Sequence, residues 1–233
     1  MKIYRLNTAS GDKYSGVKGD SYQSSNMAGD YEYDAFNSFR NFYTNDVDPR
    51  IIPVLLEKKA TVTDLISIAI LNPRVGIIIS ETFLKHLQKF RIMKHKLYPI
   101  PLTYTIDNRE LLHDHTLLTL EKGNHELIDF KSSQFLVKSI LESINEPIEI
   151  NSEVEFLRLD KEFVNNSSSM QNDGWHKYIG YTKLVLHENL KYDLFRLGRF
   201  GGMYMSESLK NSLEEICYTG VEFEEEINIY CKD

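Results

Sequence analysis

The sequence predicts an α+β fold, mainly antiparallel sheet with a few short helices laid against it. Three observations carry that expectation. Strand-like and helix-like pieces are mixed along the 233 residues without the steady alternation of a parallel α/β protein. Three short strand-like pieces, residues 183–186, 193–197 and 203–205, follow one another with only turn residues between them. Residues 201–223 then read as strand, capped helix, strand. Met203-Tyr204-Met205 is apolar, Ser206 stands at an N-cap position, and Glu207 suits the helix dipole. Leu209, Leu213 and Ile216 make one apolar stripe, and Thr219-Gly220 turns the chain into Val221 and Phe223.

A second stretch matches this one without a gap. Residues 76–97 align with 202–223, so that Ser80 falls on Ser206, Leu87 on Leu213 and Leu97 on Phe223. A duplicated unit and the shared grammar of capped helices after apolar strands both account for the match.

Hydrophobic residues make up 42% of the chain, which is ample for a packed core and argues against global disorder. A single domain over residues 1–233 is expected, with residues 1–50 as a candidate N-terminal subregion. No apolar run reaches the ~18 residues of a membrane span, and the first residues lack a signal-peptide core. A cytoplasmic protein is therefore expected, and Cys217 and Cys231 suit a reducing compartment as unpaired thiols. The net charge is -7, and residues 204–233 hold eight acids against two bases. This balance disfavours nucleic acid as a ligand and allows a basic protein partner.

In chain order, residues 1–6 alternate apolar and basic side chains like an edge strand, and residues 7–30 read as a long loop. Phe36, Phe39 and Tyr43 share one face of a short helix; an aromatic platform over 31–43, for scaffolding or binding, is the competing account. Residues 46–49 stop that helix at Pro49. Residues 51–56 form a strand that Pro53 places at an edge or bulge. Thr63-Asp64 caps a short helix, and Asn72-Pro73 turns into the first copy of the repeated pattern. Residues 97–106 are extended, with Pro99 and Pro101 at a rim or bulge. Residues 111–120 form a strand, 126–130 another, and 132–144 a helix whose stripe is Phe135, Leu136, Ile140 and Ile144. Residues 148–159 alternate like a strand. Residues 165–174 are a loop, with Trp175 at its exit as core anchor or recognition residue.

The residues carry little catalytic signal. There is no Gly-x-Ser-x-Gly elbow, no dinucleotide fingerprint and no phosphate loop. Cys217 reads as a buried thiol between Ile216 and Tyr218. Three histidines, His113, His115 and His125, are the candidates for a small metal-dependent hydrolase, because the first two share a strand face. They match no recognised ligand run.

Asp193-Leu194-Phe195-Arg196-Leu197, Met205-Ser206-Glu207, Leu209-Lys210 and Thr219-Gly220-Val221-Glu222-Phe223 together form a signature. It resembles that of the bacterial polymorphic-toxin immunity family numbered eleven, formerly a domain of unknown function. The start MKIYRL, Ile79-Ser80-Glu81, Leu97-Tyr98-Pro99-Ile100 and Ile128-Asp129-Phe130-Lys131-Ser132 agree with it. The resemblance implies a cytoplasmic, non-catalytic, monomeric protein that binds and neutralises a cognate toxin. It carries no catalytic residue, cofactor or metal. If that toxin is a basic nuclease, the acidic strand Glu222, Glu224, Glu225 and Glu226, together with Trp175, forms the expected contact set.

Overall fold

The computed structural model describes residues 1–15, 23, 26–27, 54–57, 59–68, 76–104, 110–121, 125–139, 145–167, 177–188 and 190–232. The expectations for residues 31–43, 46–49, 72–73 and 168–175 lie outside these residues. The strands are β1 (Ile3–Thr8), β2 (Asn26–Met27), β3 (Val54–Leu56), β4 (Leu65–Ile66), β5 (Ile77–Ser80), β6 (His95–Tyr104) and β7 (Glu110–Leu120). They continue with β8 (Gln134–Ser139), β9 (Asn145–Ile148), β10 (Lys177–Leu186), β11 (Leu194–Phe195), β12 (Met203–Ser206), β13 (Val221–Glu225) and β14 (Ile229–Cys231). The helices are α1 (Asp12–Ser15), α2 (Glu81–Leu87), α3 (Glu153–Ser167) and α4 (Glu207–Ile216). The fold is α+β, as expected: three mostly antiparallel sheets with few helices. No helix among the described residues is long and apolar enough to cross a membrane.

The sheets run β11-β12-β1-β13, β14-β10-β8-β9 and β2-β3-β6-β7-β5-β4. The first is the middle layer, because its strands feed two cores. Ile3, Phe195 and Tyr204 pack with Phe135, Phe156, Ile179 and Leu184 on one side. Tyr4, Leu6, Leu194, Met203 and Met205 pack with Ile77, Ile79, Leu118 and the buried residues of α2 and α4 on the other. Burial on both faces is what makes these strands read as continuous apolar runs.

The two aligned stretches are equivalent in three dimensions. In β4–β5, Leu65 pairs with Ile79 and Ile66 with Ile78; in β11–β12, Leu194 pairs with Met205 and Phe195 with Tyr204. Each N-cap serine is held by the aspartate just before the preceding strand. Ser80 Oγ donates to Asp64 at 2.8 Å, and Ser206 Oγ to Asp193 at 3.0 Å. Both hydroxyls also cap their helices, accepting from Phe83 N and Leu209 N. The register continues outward: Ile77–Leu118–Leu97 across β5, β7 and β6 matches Met203–Leu6–Phe223 across β12, β1 and β13. The strand after β6 in the first unit is β7; its counterpart in the second is β1, from the other end of the sequence.

The units clasp each other reciprocally. Asp193 accepts from Arg91 N, beyond α2, at 3.1 Å, and Asp64 accepts from Thr219 N, beyond α4, at 2.9 Å. His86 Nε2 lies 2.9 Å from Ser212 Oγ, and the Tyr218 ring stands edge-on to Phe83 at 4.8 Å.

Several expectations are corrected. β1 is interior, and the bases at its start are matched by acids at the end of β13: Lys2, just before β1, with Glu225 at 3.0 Å, and Arg5 with Glu226, just after β13. The segment read as a loop from residue 7 holds the end of β1, then α1 and β2. Thr63-Asp64 caps no helix of its own; it leads into β4, and Asp64 supports the cap of α2. Residues 125–127 form a 3-10 turn, where a strand was expected. Residues 134–139 are β8, an inner strand between β10 and β9, so Phe135, Leu136 and Val137 are all buried without helical periodicity. The chain from Ile148 leaves β9 and enters α3, which runs on through residues 165–167. Ser152 Oγ accepts from Glu155 N at 3.2 Å, and Glu155 in turn accepts from Asn151 N at 2.9 Å. Cys217 is exposed and left-handed (φ 57°) at the end of α4, and Ile216 is exposed with it. Pro101 does fall at a bulge, between Ile100 and Leu102.

Candidate functional site

The acidic residues singled out by charge lie on or just after β13, at the end of the middle sheet. Val221 and Phe223 turn half-buried side chains to the core shared with α2 and α4. Glu222 and Glu224 alternate to the other face and are exposed, Glu224 accepting from Asn7 Nδ2 at 3.3 Å. Glu225 is tied to Lys2. Glu226 is half-buried against Arg5, and burial raises its carboxyl above the ordinary value while the guanidinium opposes the shift. The strand is thus acidic at two positions without ion pairs among the described residues, Glu222 and Glu224, and charge-matched at the other two.

The backbone of β13 is also directed. Ala9 N donates to Gly220 O and Glu226 N to Ile3 O, so residues 220, 222, 224 and 226 exchange bonds with β1. Val221, Phe223 and Glu225 consequently aim their N–H and C=O groups away from the sheet. No described strand pairs with that side.

Trp175 lies outside the described residues and is not placed. The histidines occupy separate settings. His115 is buried on β7 with Nε2 3.0 Å from Thr63 O. His125 is buried under α3, where Nδ1 lies 3.4 Å from Glu153 and Nε2 accepts from Arg199 N at 3.3 Å. Its ring packs against Phe156 at 4.6 Å, and Gly198 lacks a side chain where the imidazole lies. Burial holds His125 below its ordinary pKa, with Glu153 and Asp160 pulling the other way. His113 is on β7, its side chain outside the described set. Among the described residues no group of three His, Cys, Asp or Glu side chains is arranged to hold a metal.

A cavity of about 600 Å³ is a feature that sequence reasoning missed. It opens beside the first half of β10 and is lined by Lys138 of β8, Lys177, Tyr178, Gly180 and Tyr181 of β10, Asp160 of α3, and the Arg199-Phe200 turn. Arg199 reaches Asp160 at 2.6 Å. Burial raises the Asp160 carboxyl, against the pull of that guanidinium. No linear motif joins residues 138, 160, 177 and 199; only the fold brings them together. Compared with known proteins, the chain matches no family model and no curated sequence.

Proposed function

We propose that this protein is an immunity protein, which binds and neutralises a cognate bacterial toxin in the cytoplasm without catalysis of its own. The observation that supports this reading best is β13: an open sheet edge with outward backbone groups and two exposed carboxylates free of ion pairs among the described residues. Such an edge can take a partner by strand pairing, while Glu222 and Glu224 supply a field that attracts a basic surface. A basic nuclease toxin is the partner whose charge this edge suits. The segments that resemble the immunity family, residues 193–197, 205–207, 209–210 and 219–223, fall in β11, β12, α4 and β13. They bring the resemblance and the open edge into one unit.

Affinity capture from the native host, followed by a toxicity-rescue assay of the captured protein, tests the function directly. Rescue is the expected result; a captured protein whose toxicity is unaffected overturns it. With the toxin in hand, the double variant Glu222→Gln/Glu224→Gln should associate about tenfold more slowly at low salt, with a flatter salt dependence. Stopped-flow association rates check this, and unchanged rates would remove β13 from the contact.

A further inference from the structure

The cavity beside β10 exists because of a mismatch in strand length. β10 is ten residues long, but β14 pairs only with Leu184, Val185 and Leu186. Residues 177–183 are paired with β8 alone among the described strands. Asn228, in the turn before β14, and the Arg199-Phe200 turn line the cavity together with the uncovered stretch.

Its chemistry differs from that of the chain as a whole, whose net charge is -7. Three cations and one acid line it, and the acid, Asp160, is engaged by Arg199 at 2.6 Å. Neither Lys138 nor Lys177 forms an ion pair among the described residues. Lys138 is laid across Gly180, where a Cβ would overlap its Cδ and Cε, so the missing side chain sets the course of the lysine stem. Tyr178 stands directly opposite Lys138 in the ladder, on the same face of the sheet, and is 44% exposed, a large ring left open beside that lysine. Tyr181 completes the wall, edge-on to Phe200 at 5.1 Å.

We propose that this cavity binds a phosphate monoester joined to a planar ring, the chemistry of a nucleoside monophosphate. A phosphate monoester carries about -1.5 to -2 at neutral pH and presents three acceptor oxygens. Two ammonium groups without carboxylate partners match that charge, and Asn228 adds an amide for hydrogen bonding. The exposed tyrosine ring offers a face for stacking, which tolerates any base. A volume of about 600 Å³ lies within the range of small-ligand sites.

Isothermal titration calorimetry with AMP, adenosine and inorganic phosphate at fixed ionic strength tests the proposal. AMP should bind at least about tenfold more tightly than either fragment, because charge and ring contribute together. Lys138→Gln and Lys177→Gln should each weaken AMP about tenfold, as expected for the loss of a charged hydrogen bond, and leave adenosine unchanged. Amine labelling of the unaltered protein gives a readout that needs no variant: AMP should protect Lys138 and Lys177 while other lysines react as before. Absence of AMP binding, AMP no tighter than phosphate, or labelling unaffected by AMP would each overturn the proposal.

Discussion

Ser80 and Ser206 do the same work in different surroundings. Each caps a helix and donates to an aspartate, but Ser80 is half-buried and Ser206 is 2% exposed. Ser80→Ala should cost about 1 kcal/mol, the usual worth of a cap. Ser206→Ala should cost about 2 kcal/mol, because the aspartate that loses its donor there, Asp193, is buried, whereas Asp64 is only half-buried. Urea unfolding midpoints separate the two, and equal losses would mean that capping alone sets the cost. Gly220 is a harder constraint. Its φ is +76°, and a Cβ there would overlap the Leu65 carbonyl and the Thr63 side chain, so Gly220→Ala should cost at least about 2 kcal/mol. Gly11, at φ +108° with open space around it, isolates the backbone part of that cost when changed to Ala. Asp129 gives a pH prediction. Hydrogen bonding from Ser132, against the opposing effect of burial, and the Lys232 ammonium at 3.0 Å lower its carboxyl to about 2. A folded pKa below the unfolded value means stability present above about pH 4 and lost as pH falls toward 2. Asp129→Asn should flatten the acid limb of a stability profile taken between pH 5 and 2, and an unchanged limb would assign the acid sensitivity elsewhere.

At the level of elements, what was legible was what local chemistry decides. Ser206 before Glu207, and Ser80 before Glu81, announce capped helices wherever they sit in a fold. Proline at 101 announces a bulge for an equally local reason. The misread elements are those in which tertiary partners set the pattern. Phe135-Leu136-Val137 is buried on both faces of an inner strand, so its apolar run carries no period to identify it. In α3 the inward stripe Phe156, Asp160 and Phe163 has a carboxylate at its centre, made tolerable by Arg199 from a distant turn. With Val154 and Leu157 exposed, the helical period was masked. The candidate site divides in the same way. Charge alone located Glu222 and Glu224 on their strand, but nothing in the sequence told which acids Lys2 and Arg5 would engage. The cavity had no linear trace at all, since its lysines come from two neighbouring strands and its arginine from a turn. The paired substitution Glu225→Gln/Lys2→Gln provides an element-scale check on β1–β13. An exposed ion pair contributes little to stability, so the thermal unfolding midpoint should hardly move, and a marked drop would mean that this edge depends on charge rather than on its ladder.

At the level of the molecule, two matching units share a core and exchange aspartate contacts across it, so neither has a complete interior by itself. Phe83 and Leu87 of one unit and Leu209 and Leu213 of the other belong to a single cluster. Unfolding should therefore be cooperative between them: hydrogen exchange at Leu87 and Leu213 should show the same opening free energy to within ~0.5 kcal/mol, and separate values would mean two foldons. The substitution of β1 for the strand that would otherwise follow β13 has a further consequence, in time. Lys2 and Glu225, joined in the folded protein, are 223 positions apart. On a ribosome adding ~5–20 residues per second, β1 waits roughly 10–45 s for its neighbours β12 and β13 to be synthesised. Throughout that interval the first unit can begin to collapse, whereas β1 still lacks the two strands that flank it in the middle sheet. The nascent chain therefore carries Ile3, Tyr4 and Leu6, all buried in the folded protein, without their partners from β12 and β13 for most of translation.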